Sequence, residues 1–457
     1  MARYLLCATP AGGHVTPILA VASALGDRGH EVTVLTGSRF RSFVESCGIA
    51  FRELTGAADI DDRDPDSFLP DRHHYKGLRL AQYQLRRMFI DPIPAQYRDV
   101  AAAVDDVGAE AVVVDAMFLG ALPILESPVR GAVVALGVSP LSLPSSDVPP
   151  YNSGLVPMRG SAGRLRNKVL NGVIERAFDG LDRHADHVLR AITDRGLPGG
   201  LFGAARMYDR YLQLGPAEFE YSRHDLPPNV RFVGPLGMDG SVKSYELPRW
   251  WPELEGRRVV HVTQGTAANF DLGTLIRPTI DALGDTDLAV VVATGGAPIH
   301  DLGPLPTNVF AAEFIPHAEM FRHTDAFVTN GGYGAVTTAL AHGVPIVVAP
   351  GGEDKREVAA HIRHFGVGVD LRRARPTPRR IAAAGPTGLG EPSVSNGCRV
   401  DGRRVPQVPA ARPDRIRTRS GYRRGPLPKI QLTLPRSHPH VLGYRIGVDS
   451  GFDQFSV

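Results

Sequence analysis

Short apolar runs alternate with segments of helical periodicity along the first 136 residues. Residues 4–8 and 31–36 read as buried strands, and the apolar pattern at 18–25 between them predicts a helix. A strand–helix–strand unit of this kind places its two strands parallel in one sheet. The runs at 112–115 and 132–136 predict further strands of that sheet. This rhythm is typical of an α/β sheet covered by helices on both faces.

The same rhythm starts again after residue 256. Strands are predicted at 259–263, 288–293, 326–329 and 346–349, and each is followed by a turn containing glycine. The fold class that follows is α/β, with two tandem doubly wound parallel-sheet domains. We expect an N-terminal domain over 1–226, a linker rich in Pro, Gly and charge over 227–256, and a C-terminal domain over 257–384. Ligands of such sheets bind outside the carboxyl ends of the strands, where these turns lie.

An irregular stretch at 141–157 contains four prolines and several serines. Because proline removes a backbone donor and fixes φ, neither a helix nor a central strand is expected here. We interpret it as a mobile loop of the first domain and not as a domain boundary.

The last 73 residues differ from the rest of the chain in composition. Residues 385–457 hold twelve Arg or Lys, five Asp or Glu and nine prolines, whereas the preceding residues are slightly acidic. Such a segment buries too little apolar surface to offset its ordering entropy, so we expect low order. A reading-frame shift would explain the change; a native basic tail that contacts an anionic membrane or a partner is the alternative. Since only this tail is basic, the composition does not favour nucleic-acid binding.

The cysteine count and the apolar runs indicate a cytoplasmic location. Three cysteines are too few for a disulfide framework, which favours a reducing compartment. No apolar run reaches the roughly 20 residues that a membrane-spanning helix needs.

The clearest chemical signal is the segment 325–340, which reads as strand, Gly-rich turn and helix. Its sequence, Asp-Ala-Phe-Val-Thr-Asn-Gly-Gly-Tyr-Gly-Ala-Val-Thr-Thr-Ala-Leu, brings backbone N–H groups and the positive end of a helix dipole to one place. A phosphate or diphosphate would fit there. A tight turn that needs glycine for steric reasons explains the pattern equally well on its own.

Three further segments favour the anion site. Gln264-Gly-Thr266 ends another strand, Phe314-Ile-Pro-His317 precedes the Gly-rich turn, and Glu353-Asp-Lys355 follows the next strand. Together with the Gly-rich turn, they would provide a diphosphate cradle, a platform for a base and polar groups for sugar hydroxyls.

These motifs resemble the nucleotide-sugar-dependent glycosyltransferases with two facing Rossmann-like domains (GT-B fold, UDP-glycosyltransferase-like). The sequence is most similar to the macrolide and glycolipid glycosyltransferases of actinobacteria. The likeness is strongest from Asn308 to Gly352, extends over roughly residues 1–384 and is absent from the tail.

The resemblance implies a set of donor-binding residues. The amides of Gly334 and Ala335 would bind the diphosphate, Phe314 and Ile315 would meet the nucleobase, and Asp354 would bind sugar hydroxyls. The whole implied donor site is Gln264, Gly265, Thr266, Phe314, Ile315, His317, Asn330, Gly331, Gly332, Gly334, Ala335, Thr338, Glu353, Asp354 and Lys355.

The chain departs from the family pattern at three of these positions. The family usually has His where this chain has Asn330, often Glu for the ribose where it has Thr338, and usually Gln where it has Lys355. Asn330 can still donate to a phosphate oxygen, Thr338 is a weaker ribose partner, and Lys355 adds a charge.

His14 and Asp115 are the expected catalytic pair. His14 lies in the loop Gly12-Gly-His-Val-Thr-Pro17 after the first strand, and Asp115 ends another strand of the same sheet. A histidine suits proton abstraction near pH 7, and a carboxylate can orient the imidazole. In the family that the sequence resembles, the matching histidine is the base and the matching carboxylate orients it. Taken alone, His14 would sooner be a helix-cap residue and Asp115 a strand-end residue.

The predicted function is that of an inverting glycosyltransferase. It would move a sugar from a nucleoside-diphosphate sugar, of the UDP or dTDP type, to a hydroxyl of a hydrophobic small molecule or glycolipid. Neither a resident cofactor nor a metal is expected, because helix dipole and amides can carry the leaving group's charge. The alternatives are a nucleotide-sugar-binding protein with little turnover and a sugar-nucleotide epimerase. The arginines and lysine at 159–168 leave peripheral membrane contact as a further alternative to a solvated helix face.

Overall fold

The computed structural model describes residues 1–127, 130–236, 246–265 and 271–384. Within these ranges the chain forms two parallel sheets, each with helices on both faces, as the sequence predicts. The predicted tail, 385–457, and Thr266 lie outside the described residues.

The first sheet has seven strands in the order β3-β2-β1-β4-β5-β6-β7, and all of its pairings are parallel. The strands are β1 (Arg3–Cys7), β2 (Glu31–Thr36), β3 (Ala50–Glu53), β4 (Ala111–Asp115), β5 (Ala132–Gly137), β6 (Arg210–Gln213) and β7 (Val230–Phe232). The four strands predicted for this half match β1, β2, β4 and β5 to within one residue at each end. The predictions succeed because strands buried on both faces are continuous apolar runs.

The second sheet has six strands in the order β10-β9-β8-β11-β12-β13, again all parallel. The strands are β8 (Val259–Thr263), β9 (Ala289–Ala293), β10 (Val309–Ala312), β11 (Ala326–Thr329), β12 (Ile346–Val348) and β13 (Gly368–Asp370). Every residue of β8, β9 and β11 is buried, so this sheet forms the centre of its domain.

Helices cover both sheets. They are α1 (Gly12–Gly26), α2 (Arg41–Ser46), α3 (Pro65–Phe68), α4 (Gly77–Leu85), α5 (Ile93–Val107), α6 (Gly160–Arg190), α7 (Ile276–Leu283), α8 (His317–Phe321), α9 (Tyr333–Ala341), α10 (Lys355–Phe365) and α11 (Pro378–Ala384). Short 3-10 turns and one π-helical turn, Arg86–Ile90, connect some of them. No helix among the described residues is long and apolar enough to cross a membrane.

Each sheet has one point where the strand order reverses. In the first sheet, β1 and β4 are neighbours although the chain leaves them in opposite directions, so a crevice opens at their carboxyl ends. In the second sheet, β8 and β11 form the same kind of switch point. The turns after these four strands carry part of the predicted site residues, and the others follow β10 and β12.

The predicted linker, 227–256, contains residues that belong to the sheets or their packing. Val230–Phe232 is β7 and pairs with β6 of the first sheet. Trp251 and Leu254 are buried in the apolar cluster beneath β8 and β9 of the second sheet. The crossing between the sheets is therefore shorter than the Pro- and Gly-rich composition indicates.

The irregular stretch 141–157 forms neither helix nor strand, and α6 and α10 anchor it. The Asn171 amide of α6 donates to the carbonyls of Ser145 (3.0 Å) and Val148 (3.2 Å). The Arg363 guanidinium of α10 donates to the Gly154 carbonyl at 2.6 Å. Counting prolines could not reveal these anchors, because their donors come from helices distant in sequence.

Candidate active site

His14 and Asp115 form a hydrogen-bonded pair at the switch point of the first sheet. His14 lies in the first turn of α1, and its Nδ1 is 2.8 Å from Oδ1 of Asp115, the last residue of β4. The Asp115 carboxylate is fully buried and also accepts the backbone N–H groups of Thr9 (2.6 Å) and Met117 (2.9 Å). Since a carboxylate facing Nδ1 holds the proton there, Nε2 is left as the basic nitrogen.

Each partner of the pair shifts the pKa of the other. Burial lowers the pKa of His14, but the charge and hydrogen bond of Asp115 outweigh it, and the net pKa lies above its usual value. Burial raises the pKa of Asp115, whereas His14 and the two backbone donors lower it more, so its net pKa is depressed. The pair can therefore take up a proton on His14 while Asp115 stays ionised.

The Gly-rich turn after β11 leads directly into α9. Gly331 has φ +98, a conformation that favours glycine, and a Cβ there would crowd Cγ2 of Val348 at 3.1 Å. Gly332 is the N-cap, and Gly334 is exposed, with no heavy atom within 4 Å of where its Cβ would stand. The first N–H groups of a helix have no partner inside it, so Gly334 and Ala335 present amides to an open space.

Gln264 organises the loop after β8 with its side chain. Oε1 accepts the N–H groups of Leu275 (2.7 Å) and Ile276 (2.9 Å), which begin α7, and Nε2 donates to the Asp271 carbonyl (3.0 Å). Gly265 has φ +77. The Gln264 side chain thus holds α7 in place, and the backbone of Gln264 and Gly265 is what faces the Gly-rich turn.

Asn330 joins the two turns of the second sheet's switch point. Its Nδ2 donates to the Gln264 carbonyl, and its Oδ1 is buried with no hydrogen-bond partner among the described residues. The amide carries two N–H donors, so the bond to Gln264 leaves one of them, and the predicted donation from Asn330 to a phosphate stays a prediction. Thr338 is likewise buried, and its hydroxyl donates to the Gly334 carbonyl at 2.8 Å. The ribose role predicted for it stays a prediction.

The segment after β10 supplies an exposed ring and a buried one. Phe314 is 56% exposed and lies against Gly296 of the turn after β9, whereas Ile315 is buried. His317 starts α8 and stacks on Phe321 with ring centroids 5.3 Å apart. Burial lowers the pKa of His317 to about 4, so it is neutral at pH 7, and its Nδ1 has no hydrogen-bond partner among the described residues.

The acidic turn after β12 lies opposite the catalytic pair. Glu353 has φ +57 and pairs with the buried ammonium of Lys355, and Asp354 is the N-cap of α10. Burial, opposed by Lys355 and reinforced by Glu353, raises the pKa of Asp354 to about 6. The charges of Asp354 and Glu353 also raise the pKa of His14, so this turn of the second domain is electrostatically coupled to the first.

A buried ionic cluster joins the two domains beside α10. Glu220 lies 2.9 Å from the Arg223 guanidinium and 3.2 Å from Nε2 of His361, and all three side chains are almost fully buried. Burial raises the pKa of Glu220, but His361 and Arg223 outweigh it and hold the net value at about 2. Sequence reasoning missed this cluster, because 141 positions separate Glu220 from His361 and nothing local marks either as buried.

Glu357 extends the cluster toward the irregular stretch of the first domain. Its Oε2 accepts the backbone N–H of Asn152 at 2.7 Å, and its Oε1 is 3.6 Å from Nδ1 of His361. Burial raises the pKa of Glu357 to about 7.

Tyr333, the first residue of α9, also touches the first domain. Its hydroxyl is 3.2 Å from Nε2 of Gln213 at the end of β6. A Cβ on Gly215 would lie 2.0 Å from the Tyr333 oxygen, so this close approach requires glycine. The predicted diphosphate turn is therefore packed directly against the other domain.

Two domain families match this chain. Residues 4–135 match the glycosyltransferase family 28 N-terminal domain, and residues 277–407 match the erythromycin biosynthesis protein CIII-like C-terminal domain. The second match runs past residue 384, so the expectation that the likeness stops there is wrong for residues 385–407.

Two relatives that align over 86% of this chain are named as a synthase and as a UDP-glycosyltransferase. The chain is 42% identical over 399 residues to 4′-demethylrebeccamycin synthase of Lentzea aerocolonigenes, covering 86% of this chain and 92% of that protein. It is 36% identical over 412 residues to UDP-glycosyltransferase 2 of Phaeomoniella chlamydospora, covering 86% and 90%. The crystal structure of the kitacinnamycin glycotransferase superposes with a TM-score of 0.61 at 20% identity, covering 86% of this chain and 92% of that one.

Proposed function

The chain belongs to the nucleotide-sugar-dependent glycosyltransferases with two Rossmann-like domains, and from this premise we propose that it inverts the anomeric centre and glycosylates a hydroxyl of a hydrophobic small molecule or glycolipid. The observation that carries the proposal is the His14–Asp115 pair, whose Nε2 is left basic and which faces the acidic turn of the second domain.

In the proposed reaction, Nε2 of His14 takes the proton from the acceptor hydroxyl as the oxygen attacks the anomeric carbon. The bond from that carbon to the diphosphate oxygen breaks on the opposite face, which inverts the configuration. Asp115 remains ionised and stabilises the imidazolium, which afterwards returns its proton to solvent. The products are the glycoside and the nucleoside diphosphate.

The amides of Gly334 and Ala335 would receive the charge that develops on the leaving diphosphate. They stand at the start of α9, where the helix dipole adds to their effect. We therefore propose that neither a metal nor a resident cofactor takes part.

The acidic turn would bind hydroxyl groups of the donor sugar. Asp354 has a pKa of about 6 and is largely ionised at pH 7, so it can accept hydrogen bonds from two hydroxyls. The exposed ring of Phe314 would carry the nucleobase. The name of the relative UDP-glycosyltransferase 2 supports a UDP-sugar as donor. A dTDP-sugar is the second donor that we propose.

An exposed stripe on α6 supports peripheral contact with a membrane. Leu165, Val169 and Val173 follow one another at helical spacing and are 63%, 57% and 60% exposed. Arg164 and Lys168 flank the stripe. Apolar side chains flanked by basic ones suit an anionic lipid surface on the cytoplasmic side. Vesicles containing phosphatidylglycerol should retain the protein and phosphatidylcholine vesicles should not, and a Leu165→Ser/Val173→Ser variant should remain unbound.

A donor screen followed by product analysis tests the reaction. The protein is incubated with UDP- and dTDP-sugars and a panel of hydrophobic hydroxyl compounds, and released nucleoside diphosphate is measured. NMR coupling constants then assign the anomer of each product. An α-linked donor should give a β-glycoside; an α-glycoside would refute inversion, and turnover restricted to polar acceptors would refute the acceptor class.

A further inference from the structure

Asn152, in the irregular stretch of the first domain, makes two hydrogen bonds to the segment that carries Asp354. Its backbone N–H donates to Oε2 of Glu357 at 2.7 Å, and its side-chain amide donates to the backbone carbonyl of Glu353. Asp354 lies between these two acceptors. One residue of the first domain thus holds the acidic turn of the second on both sides.

The backbone at both ends of this contact adopts the left-handed conformation. Asn152 has φ +60 and Glu353 has φ +57. Asparagine is among the few non-glycine residues that tolerate this region, whereas glutamate is not. The Glu353 conformation turns its carbonyl toward Asn152, and a strained conformation of this kind persists only where surrounding contacts hold it.

The stretch that carries Asn152 is itself anchored by helices of both domains. Asn171 of α6 holds the carbonyls of Ser145 and Val148, and Arg363 of α10 holds the Gly154 carbonyl two residues beyond Asn152. The stretch is therefore anchored before Asn152 by α6, at Ser145 and Val148, and after it by α10, at Gly154.

We propose that Asn152 is a positioning residue, which sets the place of Asp354 relative to His14 by holding the Glu353 carbonyl from the opposite domain. The proposal rests on the proposed donor-sugar role of Asp354. It predicts that the side chain of Asn152 matters for the sugar moiety of the donor and not for its nucleotide.

The test compares the affinity for UDP-glucose with that for UDP, both by calorimetry on the full-length protein. Asn152→Gly keeps the positive φ and the backbone N–H that binds Glu357, and removes only the bond to the Glu353 carbonyl. One neutral hydrogen bond corresponds to about 3- to 10-fold in affinity. We expect that loss for UDP-glucose, no change for UDP, and a lower kcat in donor turnover.

Asn152→Asp is the second variant, and Asn171→Asp is its matched control. Asn152→Asp has the same shape but replaces the donor by a carboxylate facing the Glu353 carbonyl, so its loss should exceed that of Asn152→Gly. Asn171→Asp makes the same chemical change at a residue of α6 that contacts the same stretch and bonds only to the first domain. It should leave the ratio of UDP-glucose to UDP affinity unchanged.

Three results would overturn the inference. Unchanged UDP-glucose affinity in Asn152→Gly would show that the contact is without consequence. Equal losses for UDP and UDP-glucose would show a general structural role. The wild-type protein could bind UDP at least as tightly as UDP-glucose and still turn over its donor. That result would show that Asp354 makes no sugar contact that adds to donor affinity, while the glycosyltransferase reaction itself would stand. Failure of the reaction itself would instead appear as the absence of turnover with every donor.

Discussion

At the scale of single residues, the pairing of His14 with Asp115 is the most informative feature. The imidazole is partly accessible, the carboxylate is fully buried, and two backbone donors fix the carboxylate in place. A histidine that only capped α1 would not need a buried charged partner, because burying a carboxylate is costly unless it is hydrogen-bonded. The site therefore supports proton abstraction over a capping role.

His14→Ala should lower kcat by about 10²–10⁴-fold, the usual contribution of a general base, with nearly unchanged donor affinity. The donor amides lie on α9 of the other domain, so removing the imidazole leaves them intact. Steady-state kinetics together with UDP calorimetry measures both quantities. A fall in donor affinity as large as the fall in kcat would instead make His14 a donor-binding residue.

Asp115→Asn should move the acid limb of the pH–kcat/KM profile to lower pH and reduce the plateau. The neutral form of His14 is the active base, so activity rises as pH passes its pKa, which the Asp115 charge raises above its usual value. Without that charge, burial lowers the pKa of His14, so the imidazole loses its proton at a lower pH. An unchanged limb would show that another group controls the profile.

At the scale of elements, α9 and the turn before it combine two kinds of glycine. Gly331 is favoured by the protein's own conformation, since its φ is +98 and a Cβ would crowd Val348. Gly334 has open space beside it and an ordinary φ. The sequence shows both as members of one Gly-rich turn, and only the structure separates the steric glycine from the one that leaves room for a ligand.

Gly334→Val should therefore weaken UDP binding while leaving the melting temperature nearly unchanged. Losing one charge-assisted hydrogen bond corresponds to about 10- to 100-fold in affinity. Gly331→Ala is the contrasting variant, because strain should lower its melting temperature. Calorimetry and thermal unfolding on both variants give the comparison. Full UDP affinity in a folded Gly334→Val protein would exclude this helix start as the diphosphate site.

The strands and the meeting of His14 with Asp115 at one sheet edge could be predicted because their signals are local. Buried parallel strands are continuous apolar runs, and His14 and Asp115 each follow one of them directly. The engagement of Gln264 with α7 and the hold of Asn152 on Glu353 could not be predicted, because each depends on partners brought together only by folding. The commitment of Thr338 to the Gly334 carbonyl is a local helix contact that a threonine in a helix regularly makes.

At the scale of the whole molecule, the buried cluster of Glu220, Arg223 and His361 joins the two domains. Neither domain alone provides all of these charges, since Glu220 and Arg223 come before the second sheet and His361 lies on α10. Burying each charge is costly, and the mutual pairing compensates that cost. The cluster thus disfavours arrangements in which the domains separate.

Glu220→Gln should destabilise the protein substantially, because breaking a buried pair from one side costs about 3–5 kcal/mol. Since His361 can lose its proton in response, we expect the lower end of that range. The control is Asp287→Asn, which breaks the exposed 3.0 Å pair with Arg258 and should change the free energy of unfolding by less than about 1 kcal/mol. Urea unfolding at pH 7 measures the stability of both variants. Equal unfolding midpoints would show that removing the Glu220 charge costs no more than breaking an exposed ion pair.

The close contact of Tyr333 with Gly215 has a consequence for enzyme engineering. A common plan for altering a two-domain glycosyltransferase is to join the donor half of one relative to the acceptor half of another. In this chain the tyrosine hydroxyl at the head of α9 fills the space that any side chain at position 215 would occupy, and Gln213 contacts that hydroxyl. A chimera that imports this tyrosine without a glycine facing it would push the helix start away from the cleft, and with it the amides for the diphosphate. Positions 213, 215 and 333 should therefore be exchanged as one unit, although the seam of the chimera falls between them.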